Sequence, residues 1–226
     1  MNMGNGIMTK LDKLISSKIF FYEDPKRNCD KYFDKLNGIS SEDRFKKGKR
    51  LDIKKSDVPV SYDSPYEKKI IEDLDNCSFI NKIKTQSLVI DYKSTIFRTR
   101  KYYPDIQLLL SDGIIAIIEV KPFKEMVNKH NLEKHRELAK FCKKHKFGFA
   151  IIDCDYYSFE DLKREKVSVN TQKKFIKFVK DRGSITFDEC DEFKKEYNIN
   201  DYQICNIILN NNKQIIYQQH LIKYVI

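Results

Sequence analysis

Asp105, Glu119 and Lys121 are the residues of this chain whose types and spacing suit them to carry a reaction. Asp105 follows Tyr103-Pro104 in one strand-like stretch, and Glu119 and Lys121 stand two apart at the end of the next. Side chains two apart on a strand project from the same face of a sheet. Asp112-Gly113 between the stretches is a hairpin-turn signal. Folding there brings Asp105 beside Glu119, with Lys121 next to both. Two carboxylates so placed can hold a divalent cation, which lowers the pKa of a water and neutralises charge building on a phosphoryl transition state. A lysine beside them orients the water, helps deprotonate it, or stabilises charge. The set therefore suits hydrolysis of a phosphodiester. The pattern Asp…Glu-x-Lys alone is short enough to recur by chance, and two further features distinguish it here. Glu119 ends an otherwise apolar run, where an acid is costly unless paired or bound to metal. A helix carrying a third acid, Glu67, precedes the hairpin.

The elements that must position these residues are legible in residues 57–165. Ser64-Pro65-Tyr66-Glu67 reads as a helix start, with Ser64 as N-cap, Pro65 in the first turn and Glu67 at N3. Ile70, Ile71 and Leu74 give that helix an apolar side. Strands are expected over 80–85, 87–92, 102–110 and 114–120, the last as a central strand buried on both faces. A helix over 132–145, with Leu132, Leu138, Ala139 and Cys142 inward, and a strand over 147–152 follow. The order implies an α/β fold with a mixed central sheet flanked by helices.

Residues 1–56 read as a basic, polar N-terminal extension with one short amphipathic helix over 10–21, showing Leu11, Leu14, Ile15 and Ile19 on one side. Its stretch 40–55, rich in Lys, Arg, Asp and Ser, reads as a basic arm or an irregular cover. Residues 166–226 read as a small separate domain: helices over 171–182, 187–197 and 201–209, then an alternating segment over 214–226. Three helices followed by a β-hairpin is the order of a winged helix. The third helix has no Arg or Lys, and a base-reading helix usually carries some. Protein docking is thus expected of it ahead of sequence reading.

The formal net charge of +10 and the pI of about 9.1 suit a polyanionic partner such as DNA. The excess is uneven. Residues 1–56 carry 14 Lys and Arg against 8 acids, residues 57–165 carry 19 against 18, and residues 166–226 carry 10 against 7. The middle segment is nearly neutral because it is rich in carboxylates, where metal chemistry has its ligands. The six cysteines include no C-x-x-C pair, which disfavours a zinc ribbon or a thioredoxin-type motif. No apolar run approaches a membrane span, and no secretory apolar core stands near the N-terminus. A reducing, cytoplasmic setting with free thiols and no membrane partner is expected.

The order helix-Glu, Pro-Asp, Glu-x-Lys resembles the restriction-endonuclease-like nucleases. More narrowly, 64–74, then Arg98-Thr99-Arg100-Lys101-Tyr102-Tyr103-Pro104-Asp105, then Ile118-Glu119-Val120-Lys121-Pro122 is similar to the TnsA family, the endonuclease subunits of certain heteromeric transposases. The helix and strand over 132–152 resemble that family too, and the likeness covers roughly 57–165. It implies a restriction-endonuclease-like catalytic domain followed by a winged-helix-like C-terminal domain. It implies Glu67, Asp105, Glu119 and Lys121 in the catalytic places, with Glu67, Asp105 and Glu119 around one or two Mg²⁺ ions (Mn²⁺ substituting) and Lys121 acting on the attacking water. It also implies cutting of DNA at transposon ends, beside an integrase-type transposase and an ATPase regulator. TnsA members that carry glutamine at the place of Glu119 mark a departure here toward the general nuclease pattern.

Other residues carry weaker expectations. Arg98, Arg100, Lys101 and Lys124 flank the acids in sequence and suit phosphate contacts. Lys134 and Arg136 read as a solvated helix face. Tyr102 and Tyr103 suit packing, or stacking on a sugar or base, and His130 and His135 suit structural places. Two readings compete with a transposition nuclease: an independent nuclease of the same fold in phage DNA processing, defence or repair, and a DNA-binding adaptor that no longer cuts. The intact acid set disfavours the adaptor.

Overall fold

The computed structural model describes residues 8–35, 49–93 and 99–225. The chain forms two compact units, Met1–Lys121 with Lys134–Tyr156, and Pro122–Glu133 with Tyr157–Ile226.

The first unit opens with α1 (Lys10–Ser16), where Thr9 and Asp12 cap each other reciprocally. This helix is shorter than the expected 10–21. Leu14 is exposed, and Ile19 is buried beyond the helix end. Buried Asp12 also accepts bonds from the Ser78 N–H and hydroxyl, tying the segment to the domain. Short α2 (Asp30–Asp34) and the ribbon β1 (Lys49–Leu51)–β2 (Val60–Tyr62) follow. Next comes α3 (Pro65–Asp75), capped by Ser64 and burying Ile70, Ile71 and Leu74 as its spacing predicted.

The central sheet has four strands in the order β3 (Ile80–Thr85), β6 (Ile106–Leu110), β7 (Ile115–Val120), β8 (Gly148–Ile152). Its first two pairings are antiparallel and β7–β8 is parallel, so the sheet is mixed. Every residue of β6, β7 and β8 is buried, as continuous apolar runs require. The expected strand over 102–110 is in fact two. Pro104, which lacks an N–H for a ladder, lies in the break between β5 (Thr99–Tyr102) and β6. β5 pairs with β4 (Ile90–Lys93) in a separate ribbon. The turn before β7 contains Gly113, whose φ of +75° fits the glycine expected there. Helix α4 (Phe123–Met126) precedes α5 (Lys129–His145), which begins three residues before its expected start.

The fold divides the chain differently from 1–56, 57–165 and 166–226. Ile15, Ile19 and Phe33 are buried, so the N-terminal segment helps form the first unit's interior. The second unit takes residues 122–133 and begins again at Tyr157. It contains α6 (Phe159–Arg164), α7 (Val169–Arg182), β9 (Ser184–Ile185), a 3₁₀ turn (Asp188–Cys190), α8 (Asp191–Tyr197), α9 (Asp201–Asn210) and the hairpin β10 (Ile215–Gln218)–β11 (Leu221–Tyr224). Gly183, at φ +75°, ends α7. β9 joins the hairpin as a third antiparallel strand. All six cysteines are free thiols. No helix among the described residues is long and apolar enough to cross a membrane.

Candidate active site

The β6–β7 ladder pairs Ile106 with Ile118, so the next position along sets Asp105 across from Glu119. Backbone bonds extend the sheet there on both sides. The Gln86 N–H donates to the Asp105 carbonyl at 2.8 Å, and the Lys121 N–H donates to the Ile152 carbonyl at 2.9 Å. Asp105 Oδ2 in turn accepts the Val120 N–H at 2.8 Å. The three residues thus stand on rigid strand ends, as their spacing predicted.

Their side chains meet. Lys121 Nζ lies 2.9 Å from Glu119 Oε1, 3.4 Å from Asp105 Oδ2 and 3.0 Å from the Val120 carbonyl. Glu119 is only 2% exposed, and its other oxygen accepts the Tyr102 hydroxyl at 2.6 Å. Burial first, and then the Glu119 charge, push the Asp105 carboxyl well above its ordinary range, with Lys121 opposing them. Burial alone depresses Lys121, but Glu119 and Asp105 outweigh it and hold the ammonium above its ordinary value. Lys121 is therefore a fixed positive charge and a donor. A lysine so protonated is poorly suited to act as a base.

Glu67 lies at N3 of α3 and is buried. Its carboxylate accepts the Asp63 N–H and the Ser64 hydroxyl, each at 3.0 Å. It does not touch the other acids, yet its charge acts on both Asp105 and Lys121, so it borders the site. As the side chains stand, the described residues include no grouping of three His, Cys, Asp or Glu able to hold a metal ion. The donor chemistry nevertheless fits a hard divalent cation. Around the Lys121 ammonium are two carboxylate oxygens and one carbonyl oxygen, all hard donors, already gathered about positive charge.

The remaining candidates separate. Arg100 is exposed on β5, on the same strand face as Tyr102. Lys101 points to the opposite face, in register with Asp91. Lys124 belongs to the second unit, where it pairs with Asp201 at 3.5 Å and lies 4.6 Å from the Phe187 ring centroid. Arg98 lies outside the described residues. Arg136 is exposed, and His135 is buried on α5.

Two residues have a larger part here than their sequence reading gave them. Tyr102 is buried with its hydroxyl on Glu119, and burial followed by the Glu119 charge raises its pKa well above normal. Lys134 is half-buried, 5.8 Å from the Tyr102 ring centroid. Burial lowers its pKa while Glu119 opposes the shift. Its register held the signal: 134, 138 and 142 share one helix face, and Leu138 and Cys142 are fully buried.

A mixed sheet flanked by helices, with an Asp, a Glu and a Lys clustered on adjoining strand ends, is compatible with a nuclease-type α/β domain. Residues 78–153 match the family model described as TnsA-like endonuclease N terminal, and that segment contains Asp105, Glu119 and Lys121. That third of the chain is thus similar to a TnsA-like endonuclease N-terminal domain, for which DNA is the implied substrate. No curated protein matches the chain.

Proposed function

We propose that this protein is a metal-dependent DNA endonuclease that hydrolyses phosphodiester bonds at transposon ends, as the TnsA-like subunit of a heteromeric transposase. The observation that carries the reading is the buried cross-strand pair Asp105–Glu119 with Lys121 bonded to both acids. Such a pair is costly unless the site uses its charge.

In this reading Asp105 and Glu119 hold Mg²⁺ or Mn²⁺, and Glu67, whose charge acts on Asp105 and Lys121, would have to turn toward them to complete the set. The ion supplies charge neutralisation at the phosphate and a lowered water pKa. Lys121, held protonated, donates to the attacking water as the cation takes over one of its acid partners. Tyr102 holds Glu119 in its orientation, and Arg100 offers a contact to a neighbouring phosphate. Within the second unit the run α7, β9, α8, α9 and the hairpin β10–β11, with β9 joined to the hairpin, supports a winged-helix-like module. In α9 there is no Lys or Arg, and residues 204–208 are buried, which favours docking to an integrase-type transposase or an ATPase regulator over base reading.

The test is nicking of supercoiled plasmid bearing candidate transposon ends, with Mg²⁺ or Mn²⁺ and the candidate transposase and ATPase. Wild type should nick, and Asp105→Ala and Lys121→Ala should not, while both variants keep the wild-type fold. A wild-type protein that stays silent with partners present, or an active Asp105→Ala, would overturn the proposal.

A further inference from the structure

Lys121 has three N–H bonds to give, and three oxygens already surround its nitrogen: Glu119 Oε1, Asp105 Oδ2 and the Val120 carbonyl. With its donors turned to the acids and their strand it has none to spare for a backbone phosphate, and one can reach the attacking water only as a cation takes over an acid. Lys134 is its complement. It projects from α5 into the field of the same acids and lies near Arg100, whose charge acts on it. It forms no hydrogen bond or ion pair with any described residue, and its ammonium lies over the face of the Tyr102 ring, 5.8 Å from the centroid. That ring is itself fixed, because the Tyr102 hydroxyl is bonded to Glu119. An ammonium held by an aromatic face keeps its three donors available for an anion.

We propose that Lys134 is the phosphate-binding cation of this site, with Lys121 serving the acids and the water. The inference rests on the nuclease reading and adds a division of labour between the two lysines. Lys134 and Arg100 give the metal-ligating acids a positive border, which the DNA backbone needs because Asp105 and Glu119 would otherwise repel it. The cost of leaving Lys134 half-buried without a carboxylate partner is then recovered when a phosphate arrives.

The experiment uses the full-length chain and compares wild type, Lys134→Met and Lys134→Arg. Binding to a fluorescein-labelled duplex is followed by anisotropy in EDTA across a salt series, and nicking is followed in Mn²⁺ with partners present. Lys134→Met keeps the length and apolar stem of the side chain and removes its charge. Loss of one phosphate contact should reduce the slope of log K against log salt by about 0.9. Nicking by Lys134→Met should fall, and Lys134→Arg should keep the wild-type slope. A merely structural lysine would change the melting temperature without changing the slope. The inference alone fails if wild type nicks and Lys134→Met matches it in both slope and rate. If wild type neither binds nor nicks DNA with its partners, the nuclease reading fails and the inference falls with it.

Discussion

Asp105 and Lys121 share neighbours that act oppositely on their charged forms. Burial and Glu119 make the Asp105 charge costly, whereas the two acids keep Lys121 charged. A carboxyl whose folded pKa is raised contributes stability in its protonated form, and that contribution is lost as pH rises from the unfolded value through the folded one. At neutral pH, above the ordinary carboxyl range, the raised Asp105 carboxyl therefore subtracts from stability. Asp105→Asn keeps an oxygen for the Val120 N–H and removes the charge, while Lys121 retains Glu119 as its partner. The variant should lose nicking yet melt roughly 2–4 °C higher than wild type at neutral pH, the shift that about 1 kcal/mol makes in a chain of this size. Melts in EDTA at falling pH should show the gap closing as the wild-type carboxyl protonates. A variant that melts lower at neutral pH would mean that the Asp105 charge is stabilising. The acids and Lys121 were legible in sequence because strand periodicity fixes which residues share a face. Tyr102 and Lys134 were less so, since whether a tyrosine hydroxyl or a lysine ammonium faces an acid depends on long-range packing.

Elements differ in how far local sequence determines them. Helix α3 formed where its cap and apolar spacing placed it, because Ser64 and Glu67 bond to each other and to local backbone. The break between β5 and β6 was not foreseen, although Pro104 is the local reason for it. Residues 17–21 were expected as the end of the first helix, yet they leave it and edge the sheet: Phe20 bridges Phe149 antiparallel, with N···O distances of 2.8 and 2.9 Å. Gly148 makes that approach possible. A Cβ there would meet Phe21 Cε1 at 2.6 Å and Ile19 Cγ2 at 2.9 Å, closer than carbon atoms tolerate. Gly148→Val should therefore push the segment off β8 and cost roughly 1–3 kcal/mol, as overpacking does. Urea unfolding measures this, and hydrogen exchange should show lost protection at the Phe20 and Phe149 amides. Unchanged stability would mean that the N-terminal segment is not held against the strand.

At the scale of the whole molecule, the chain passes between its two units three times, at 121/122, 133/134 and 156/157. Composition suggested a boundary near 165 because charge and periodicity change there, but composition cannot reveal that a segment returns to a unit built later in the chain. Residues 122–133 do so through specific partners. Asn128 bridges Tyr217, the Tyr217 hydroxyl donates to Glu125 at 3.3 Å, Lys124 pairs with Asp201, and the Phe123 and Tyr202 rings lie 4.6 Å apart. Met126 and Val127 are fully buried. This loop directly follows Lys121 and leads into the helix that carries Lys134, so both lysines of the site depend on its path. A fragment ending at residue 156 removes all three partners, Tyr217, Asp201 and Tyr202, and uncovers apolar surface. It should melt lower than the full chain, and limited trypsin digestion followed by mass spectrometry should find new cleavage after Lys124 and Lys129. Full-length protein should resist at both positions under the same conditions. Equal resistance in the fragment would show that residues 122–133 are held without the second unit, and the nuclease domain would then be separable at that point. Cleavage confined to the fragment would mean that residues 157–226 hold the connection between Lys121 and Lys134 in place.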